Sequence, residues 1–400
     1  MKSLWHEERG VTLIELMAGL AVGLIVVAAG FTALTSSDKA TRANDQVAQT
    51  QQSARIAMEL LSNDLKMAGF GMILGQQVGG CTSAIMPGDN TQAGPDLGSD
   101  SISIAAPVTA SSAPFWTLSI TTPTSPFTQI TLQAGAVAAM VAQGLAVGGT
   151  VSVGGAKSVR VNSFDAGTDT ISFTPAMPSP VTFAGCNQAA VGCINPTPVY
   201  LLQCITYQVI RATDPNAAAC AGGAPCLVRG VAAGNNCNVL PNTCVDVADG
   251  IEDVQVAYAC DGCVPTVNGG AEDRIIDDQT GGVLNEFDCY DFLPNNHTTC
   301  PGGAPGPSSG VLPSGANPNT IRMVRITIVA RQNTNAVTGA TFEQGFGEGQ
   351  VTSANTQGPI IAEDHNPSSD AGYNAVIYSQ FRRRTLTRTV ELRNIGLIGS

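Results

Sequence analysis

Hydrophobic and polar positions divide the first seventy residues into three stretches. Residues 1–10 are polar in balance, Met-Lys-Ser-Leu-Trp-His-Glu-Glu-Arg-Gly. Residues 13–34 follow, 22 positions whose one charge is Glu15. At about 1.5 Å of rise per residue a helix of that length covers roughly 33 Å, the depth of a bilayer's hydrocarbon core. Beyond it the pattern acquires a helical period. Val47, Gln51, Ala54, Met58, Leu61, Leu65 and Ala68 recur at spacings of four and three, a mostly apolar stripe on one face. Lys39, Arg42, Asp45, Arg55, Glu59, Asp64 and Lys66 fall mostly off that face. Gly69-Phe70-Gly71 stops the run. The predicted element is a single helix of about 55 residues, apolar all round in its first half and striped in its second.

After residue 75 the period shortens to two. Strand candidates are 101–106, 115–121, 129–132, 150–153, 159–161, 170–173, 200–211 and 251–260, separated by Gly/Pro-rich turns. Residues 134–146 suit a short helix instead. The stretch 261–319 is rich in Gly, Asn, Pro and Asp and reads as a long disulfide-pinned loop or insertion. Alternation returns at 321–331 and again at 381–394. The expected class is therefore α+β: a long N-terminal helix, then a mainly β, loop-rich, disulfide-containing globular head.

Composition supports that division. The 400 residues include 44 Gly and 23 Pro, with only 12% charged, a mixture that favours short strands and turns. Net charge is −12, so a general basic field for nucleic acid is disfavoured. The last 80 residues nonetheless hold 8 of the 19 basic residues, among them Arg382, Arg383, Arg384, Arg388 and Arg393. The plain reading is two paired strands whose basic side chains face solvent or the acids at 249–253; the sharper one is capture of DNA.

Twelve cysteines lie between Cys81 and Cys300. The one C-x-x-C pair, Cys260 and Cys263, has no following His for haem attachment, no second pair for zinc and no helix pattern for a thioredoxin-like site. A structural bridge is the better reading. Disulfide candidates are Cys186, Cys193, Cys220, Cys226, Cys237, Cys244, Cys289 and Cys300, with Cys220/Cys226 and Cys237/Cys244 in short Gly/Pro/Asn loops. They point to an oxidising compartment. Nothing matches G-x-S-x-G, H-E-x-x-H or a phosphate loop, and the histidines are His6, His297 and His365. Catalytic and metal residues are expected to be none, and no cofactor is implied. Calcium is the one ion worth weighing: Asp277, Gln279, Gly281, Gly282 and Asp288 fall in an EF-hand frame, but Gly at the fifth position and Asp at the twelfth are poor, so a solvated loop is preferred.

The start of the helix is unusual. An ordinary secretory signal is cut after its apolar run, whereas here the small residue Gly10 stands before it, followed by Val11, Thr12, Leu13, Ile14 and Glu15. A carboxylate in lipid costs a few kcal/mol and calls for a partner. Cleavage after Gly10 would place an α-amino group on Val11, which could pair with Glu15 in its own chain or be neutralised by the Glu15 of a neighbouring copy.

Residues 10–15 resemble the class III signal of type IV prepilins and type II secretion pseudopilins. That resemblance implies cleavage between Gly10 and Val11 by a membrane peptidase, N-methylation of Val11, and filament assembly guided by Glu15 with Thr12. The family usually has Phe where this chain has Val11. Three further segments, 61–71 at the helix end, 249–258 in mid-domain and the terminal 382–394, are similar to the PilW family of minor pilins. The implied layout is a leader at 1–10, a transmembrane and filament-core half of the helix at 11–35, an exposed amphipathic half at 36–70, and a β-rich head at 71–400. Gly19, Gly23 and Gly30 either allow close packing or let the helix unwind on entering a filament.

The resemblance implies a minor subunit that primes or joins assembly near the pilus tip and is not an enzyme. Implied partners are other major and minor pilins, the prepilin peptidase, the inner-membrane assembly machinery and a tip adhesin. The implied location is a single inner-membrane pass with a periplasmic head, then the extracellular pilus. The alternatives are a minor pseudopilin of a type II secretion system, and an anchored adhesin or ligand-binding module using the loops at 261–319.

Overall fold

The computed structural model describes residues 11–72, 77–88, 98–108, 115–116, 127–155, 157–177, 198–210, 220, 225–231, 244–260, 289–290, 318–331, 359–360, 362, 365–369, 375, 378 and 383–394. The chain divides into two compact units, Met1–Gln49 and Thr50–Ser400. The break falls inside the first helix, α1 (Leu13–Lys66). The last helical turns belong to the same unit as the strands that follow them.

In the first unit, Leu13–Asp38 is long and apolar enough to cross a membrane, and none of it is buried. In the second, Ala54, Ala57, Met58, Leu61 and Leu65 are buried in the main core. The helix tightens as it ends: Met67 N–H donates to the Asp64 carbonyl and Ala68 N–H to that of Leu65, at 3.1 and 3.0 Å. Gly69 and Gly71 then take positive φ, 72° and 66°. A Cβ on Gly71 would collide with Ser152, so this turn needs glycine on both counts.

Among the described residues, ten strands make the larger sheet: β1 (Ile85–Gly88), β2 (Ser101–Pro107), β3 (Phe115–Trp116), β4 (Phe127–Thr131), β5 (Thr150–Val153), β6 (Lys157–Asp165), β7 (Thr170–Met177), β8 (Pro198–Ile210), β9 (Cys226–Val231) and β10 (Val245–Asp249). The 13-residue β8 organises it. Residues 205–207 pair with both β2 and β9, so those two strands lie on opposite edges of β8. Val199 pairs with both β3 and β5, and Leu202 with both β2 and β5, so β3 shares an edge with β2 and β5 with β9. The core changes along the same strand. Leu202, Cys204, Ile205, Tyr207 and Val209 join the main core with α1, while Val199 and Leu201 join a second one with β4–β7 and α2 (Ala136–Ala142). Asp169 seats α2 by accepting from the N–H of Gly135 and of Val137, at 2.8 and 3.0 Å.

The smaller sheet is antiparallel, in the order β12 (Cys289–Tyr290), β11 (Ile251–Cys260), β13 (Ile321–Arg331), β14 (Arg383–Glu391). Gly250 joins the two sheets. It sits at φ +73, and a Cβ there would lie 2.6 Å from the Arg331 carbonyl. Its N–H donates to Pro225 and its carbonyl accepts from Arg331, both at 2.7 Å. This is the physical role of the Asp249-Gly250-Ile251 segment.

Strands β5, β11 and β13 coincide with their predicted bounds, and β2, β4, β6, β7, β8 and β14 agree within a few residues. Strands β1, β9, β10 and β12 were not anticipated, the last lying inside the stretch 261–319 expected to be a loop. Ile-Met-Pro-Gly and Cys-Leu-Val-Arg-Gly-Val do not alternate, and Val-Asp-Val-Ala-Asp is short and half charged. Each becomes a strand because a longer neighbour offers it a ladder.

Candidate functional site

Thr12 stands just before the first residue of α1, and Glu15 lies in its first turn. The N–H and hydroxyl of Thr12 both donate to Glu15 Oε2, at 3.0 and 2.9 Å. The Glu15 N–H donates back to Thr12 Oγ1 at 3.3 Å. This is a capping box, in which two otherwise orphaned amides at a helix start are satisfied reciprocally by a threonine and a glutamate three residues on. The Glu15 carboxylate thus has hydrogen-bond donors within its own chain. Val11 lies immediately ahead and is 74% exposed. Gly10, on the other side of the expected cut, lies outside the described residues.

Behind this box the helix surface is uniformly apolar. Thirteen large apolar side chains between Val11 and Leu34, from Leu13 at 80% to Leu20 and Val22 at 60%, stand exposed. A helix that is apolar all round is not stable in water and requires lipid or other protein around it. Among the described residues, Gly19, Gly23 and Gly30 have nothing within 4 Å of where a Cβ would be, so no contact there requires them to be glycine.

The second unit holds a buried polar site that the sequence reading missed. Asp64, counted among residues mostly off the apolar face, is buried; its side chain is 1% exposed against 22% for Arg229. Arg229 Nε donates to Asp64 Oδ2 at 2.9 Å, and the Tyr207 hydroxyl donates to the same oxygen at 2.6 Å. Tyr207 and Arg229 are register partners on β8 and β9. The three groups therefore tie the last full turn of α1 to the larger sheet. Burial, and then the Asp64 carboxylate, push the Tyr207 phenol far above its ordinary pKa. Burial lowers that of the Arg229 guanidinium, but Asp64 and Tyr207 more than reverse it. The signal for this site was periodicity: position 64 falls between Leu61 and Ala68 at the spacing of buried residues.

The segments that carry the family resemblance meet around the same core. Leu61 and Leu65 of the helix end, Val254, Val256 and Tyr258 of β11, and Val390 and Leu392 of the C-terminal run share one hydrophobic cluster. Asn394 Nδ2 donates to the Lys66 carbonyl at 2.8 Å, meeting one of the acceptors a helix end leaves open. Arg383 of the basic run makes a two-pronged contact with Glu252, and its guanidinium lies 3.4 Å over the Tyr378 ring. Arg331 is 3.6 Å from the same carboxylate. Arg384 and Arg388 are exposed. The acids at 249–253 thus engage one arginine of the run, and solvent receives the next two described.

His365 is buried, with Nδ1 2.7 Å from Asp253 Oδ2. A Cβ on Gly98 would collide with its ring, and Gln255 links the two by donating to Asp253 Oδ1 and to the Gly98 carbonyl. This cluster fastens residues 98 and 365 onto β11.

Disulfides join Cys220 to Cys226 and Cys81 to Cys204, and Cys244 is also disulfide-bonded. The Cys81–Cys204 bridge spans 123 positions and was not among the candidates, which were chosen for short spacing. Cys186, Cys193, Cys237, Cys263 and Cys300, His6 and His297, and the calcium frame at 277–288 lie outside the described residues. For Cys289 the backbone shows pairing opposite Cys260.

Residues 217–394 match the family model of Type IV Pilus-assembly protein W, and residues 5–31 match the prokaryotic N-terminal methylation motif. No curated protein and no solved structure matches the chain at a significant level. The methylation motif covers the capping box and most of the exposed apolar helix, and fits a membrane-anchored type IV pilin. The family match spans β9 to β14 and the Arg229 that meets Asp64. These two matches support a type IV pilin-like protein of the PilW family.

Proposed function

We propose that this chain is a minor pilin that primes or joins type IV pilus assembly near the tip through its N-terminal helix. The observation that carries this reading is the fully exposed apolar helix headed by the Thr12–Glu15 box. Membrane lipid surrounds the helix before assembly, and the helices of other pilins surround it afterwards. Both are apolar, so transfer between them leaves the thirteen side chains out of water. Cleavage after Gly10 places an α-amino group on Val11, and N-methylation follows. Glu15 then pairs with that amine on an adjoining subunit, while Thr12 keeps the carboxylate aligned at the helix start. Pairing removes the cost of a lone carboxylate in an apolar core and so favours the assembled register.

Assembly of this kind requires no cofactor and no covalent chemistry from the chain itself, and pilin and pilus-assembly families are structural rather than enzymatic. The partners are other major and minor pilins, the prepilin peptidase and the inner-membrane assembly machinery, with the β-rich region in the periplasm and then on the pilus. Its size favours a low-copy position, since a subunit this large would crowd a tightly wound shaft.

The test separates processing from incorporation. Glu15→Val is expected to leave the protein processed and membrane-bound but poorly incorporated; mutant subunits at normal level in sheared filaments would refute the role. Gly10→Ala is expected to block maturation, seen as an unshifted precursor by intact mass. A normal shift would remove the peptidase assignment.

A further inference from the structure

Cys81 is presented to β8 by a turn made for the purpose. Val78 and Cys81 exchange both backbone hydrogen bonds, at 2.9 and 2.8 Å, around Gly79 and Gly80, which both take positive φ. That geometry is the tight two-residue hairpin turn that glycine pairs favour. Gly79 also passes close to the partner cysteine: a Cβ there would lie 3.1 Å from the Cys204 backbone nitrogen. Cys81 and Cys204 are both 0% exposed and belong to the main core with Leu61, Leu65, Ile85, Ile205 and Ile326.

We propose that the Cys81–Cys204 bond is made before this core closes, by a protein or small-molecule disulfide that meets the chain outside the reducing cytoplasm. Thiol–disulfide exchange requires an attacking sulfur to reach the sulfur it displaces, through a mixed disulfide. One cysteine thiolate attacks the oxidant's disulfide and releases its first thiolate. The second cysteine then attacks the mixed disulfide and releases the other. The chain loses two electrons and two protons, and the oxidant's two sulfurs leave as thiols, on one molecule for a protein disulfide and on two for glutathione. Neither step has room once α1 and both sheets surround the two sulfurs. The same shielding protects the finished bond from reductants.

The test uses the full-length chain in detergent. First, the native protein is treated with millimolar dithiothreitol and then iodoacetamide, with labelled peptides read by mass spectrometry. Alkylation of Cys81 and Cys204 is expected at least about 100-fold slower than in the denatured chain, because exchange waits on opening of the core. Second, the fully reduced chain is refolded with oxidised glutathione either present from the start or added after folding. Bond formation only in the first case, or failure of the reduced chain to fold at all, supports the order. Reduction of the native bond at the denatured-chain rate, or ready formation in a chain already folded, overturns it.

Discussion

The two parts of α1 differ in what surrounds them, and the difference assigns each its work. Between Val11 and Leu34 thirteen large apolar side chains lie open, whereas Ala57, Leu61 and Leu65 are 0% exposed. At about 1.5–3 kcal/mol for each buried side chain, the open set represents on the order of 20–40 kcal/mol if placed wholly in water. That exceeds the stability of an ordinary domain, so the first part has to be solvated by something apolar. The second part has already found its apolar partner in β2, β8, β11 and β13. Charge is handled oppositely too. Glu15 is bonded by its neighbour Thr12 in sequence, and Asp64 Oδ2 by Tyr207 and Arg229, 143 and 165 positions away.

This contrast can be broken most sharply at Asp64. Asp64→Ala leaves the Arg229 guanidinium and the Tyr207 hydroxyl without their acceptor and is expected to cost about 3–5 kcal/mol. Urea denaturation of the full-length protein in detergent, followed by tyrosine fluorescence, measures it. Asp45→Ala, at an exposed position of the first unit, is expected to stay within about 0.5 kcal/mol by the same assay.

Leucine truncation sharpens the comparison further. Leu61→Ala in the core should lose about 2–5 kcal/mol, while Leu24→Ala in the open part should leave that unfolding midpoint unchanged. Equal losses at both positions would mean the two parts of the helix share one folded unit.

A smaller effect is expected from pH. The Tyr207 phenol has its pKa raised by burial and by Asp64. Its contribution is therefore fully present below the unfolded-chain value near 10 and is lost as pH climbs from there toward the folded value. Tyr207→Phe is expected to cost about 1–2 kcal/mol at pH 7 and to flatten the decline in stability above about pH 10. An unchanged alkaline slope in that variant would place the titration elsewhere.

The smallest expected change is at the cap. Thr12→Val removes the hydroxyl from the box and should weaken the first turn by about 0.5–2 kcal/mol. In filaments this is expected to lower incorporation less than Glu15→Val does. Equal losses would show that the hydroxyl matters as much as the carboxylate.

Much of this was legible from residue pattern because it is local. The apolar run, the lone Glu15 and the preceding Gly10 all lie within 25 residues, and helix period relates each to the next. Strands such as Ile251–Cys260 and Ile321–Arg331 were visible for the same reason, since alternation is a property of consecutive positions. What only the tertiary structure decided involves partners far apart in the chain. Asp64 was judged by its type, as a charge that belongs in solvent, and only β8 and β9 make its burial affordable. Cys81 was passed over because its partner is 123 positions away. Strands β1 and β9 hold their conformation through ladders with β2 and β8. The physical reason is common to all three: period and composition specify which face of an element is apolar, but not which distant element will cover it. The apolar half of the helix needs no such covering from its own chain, and its character was readable from consecutive residues alone.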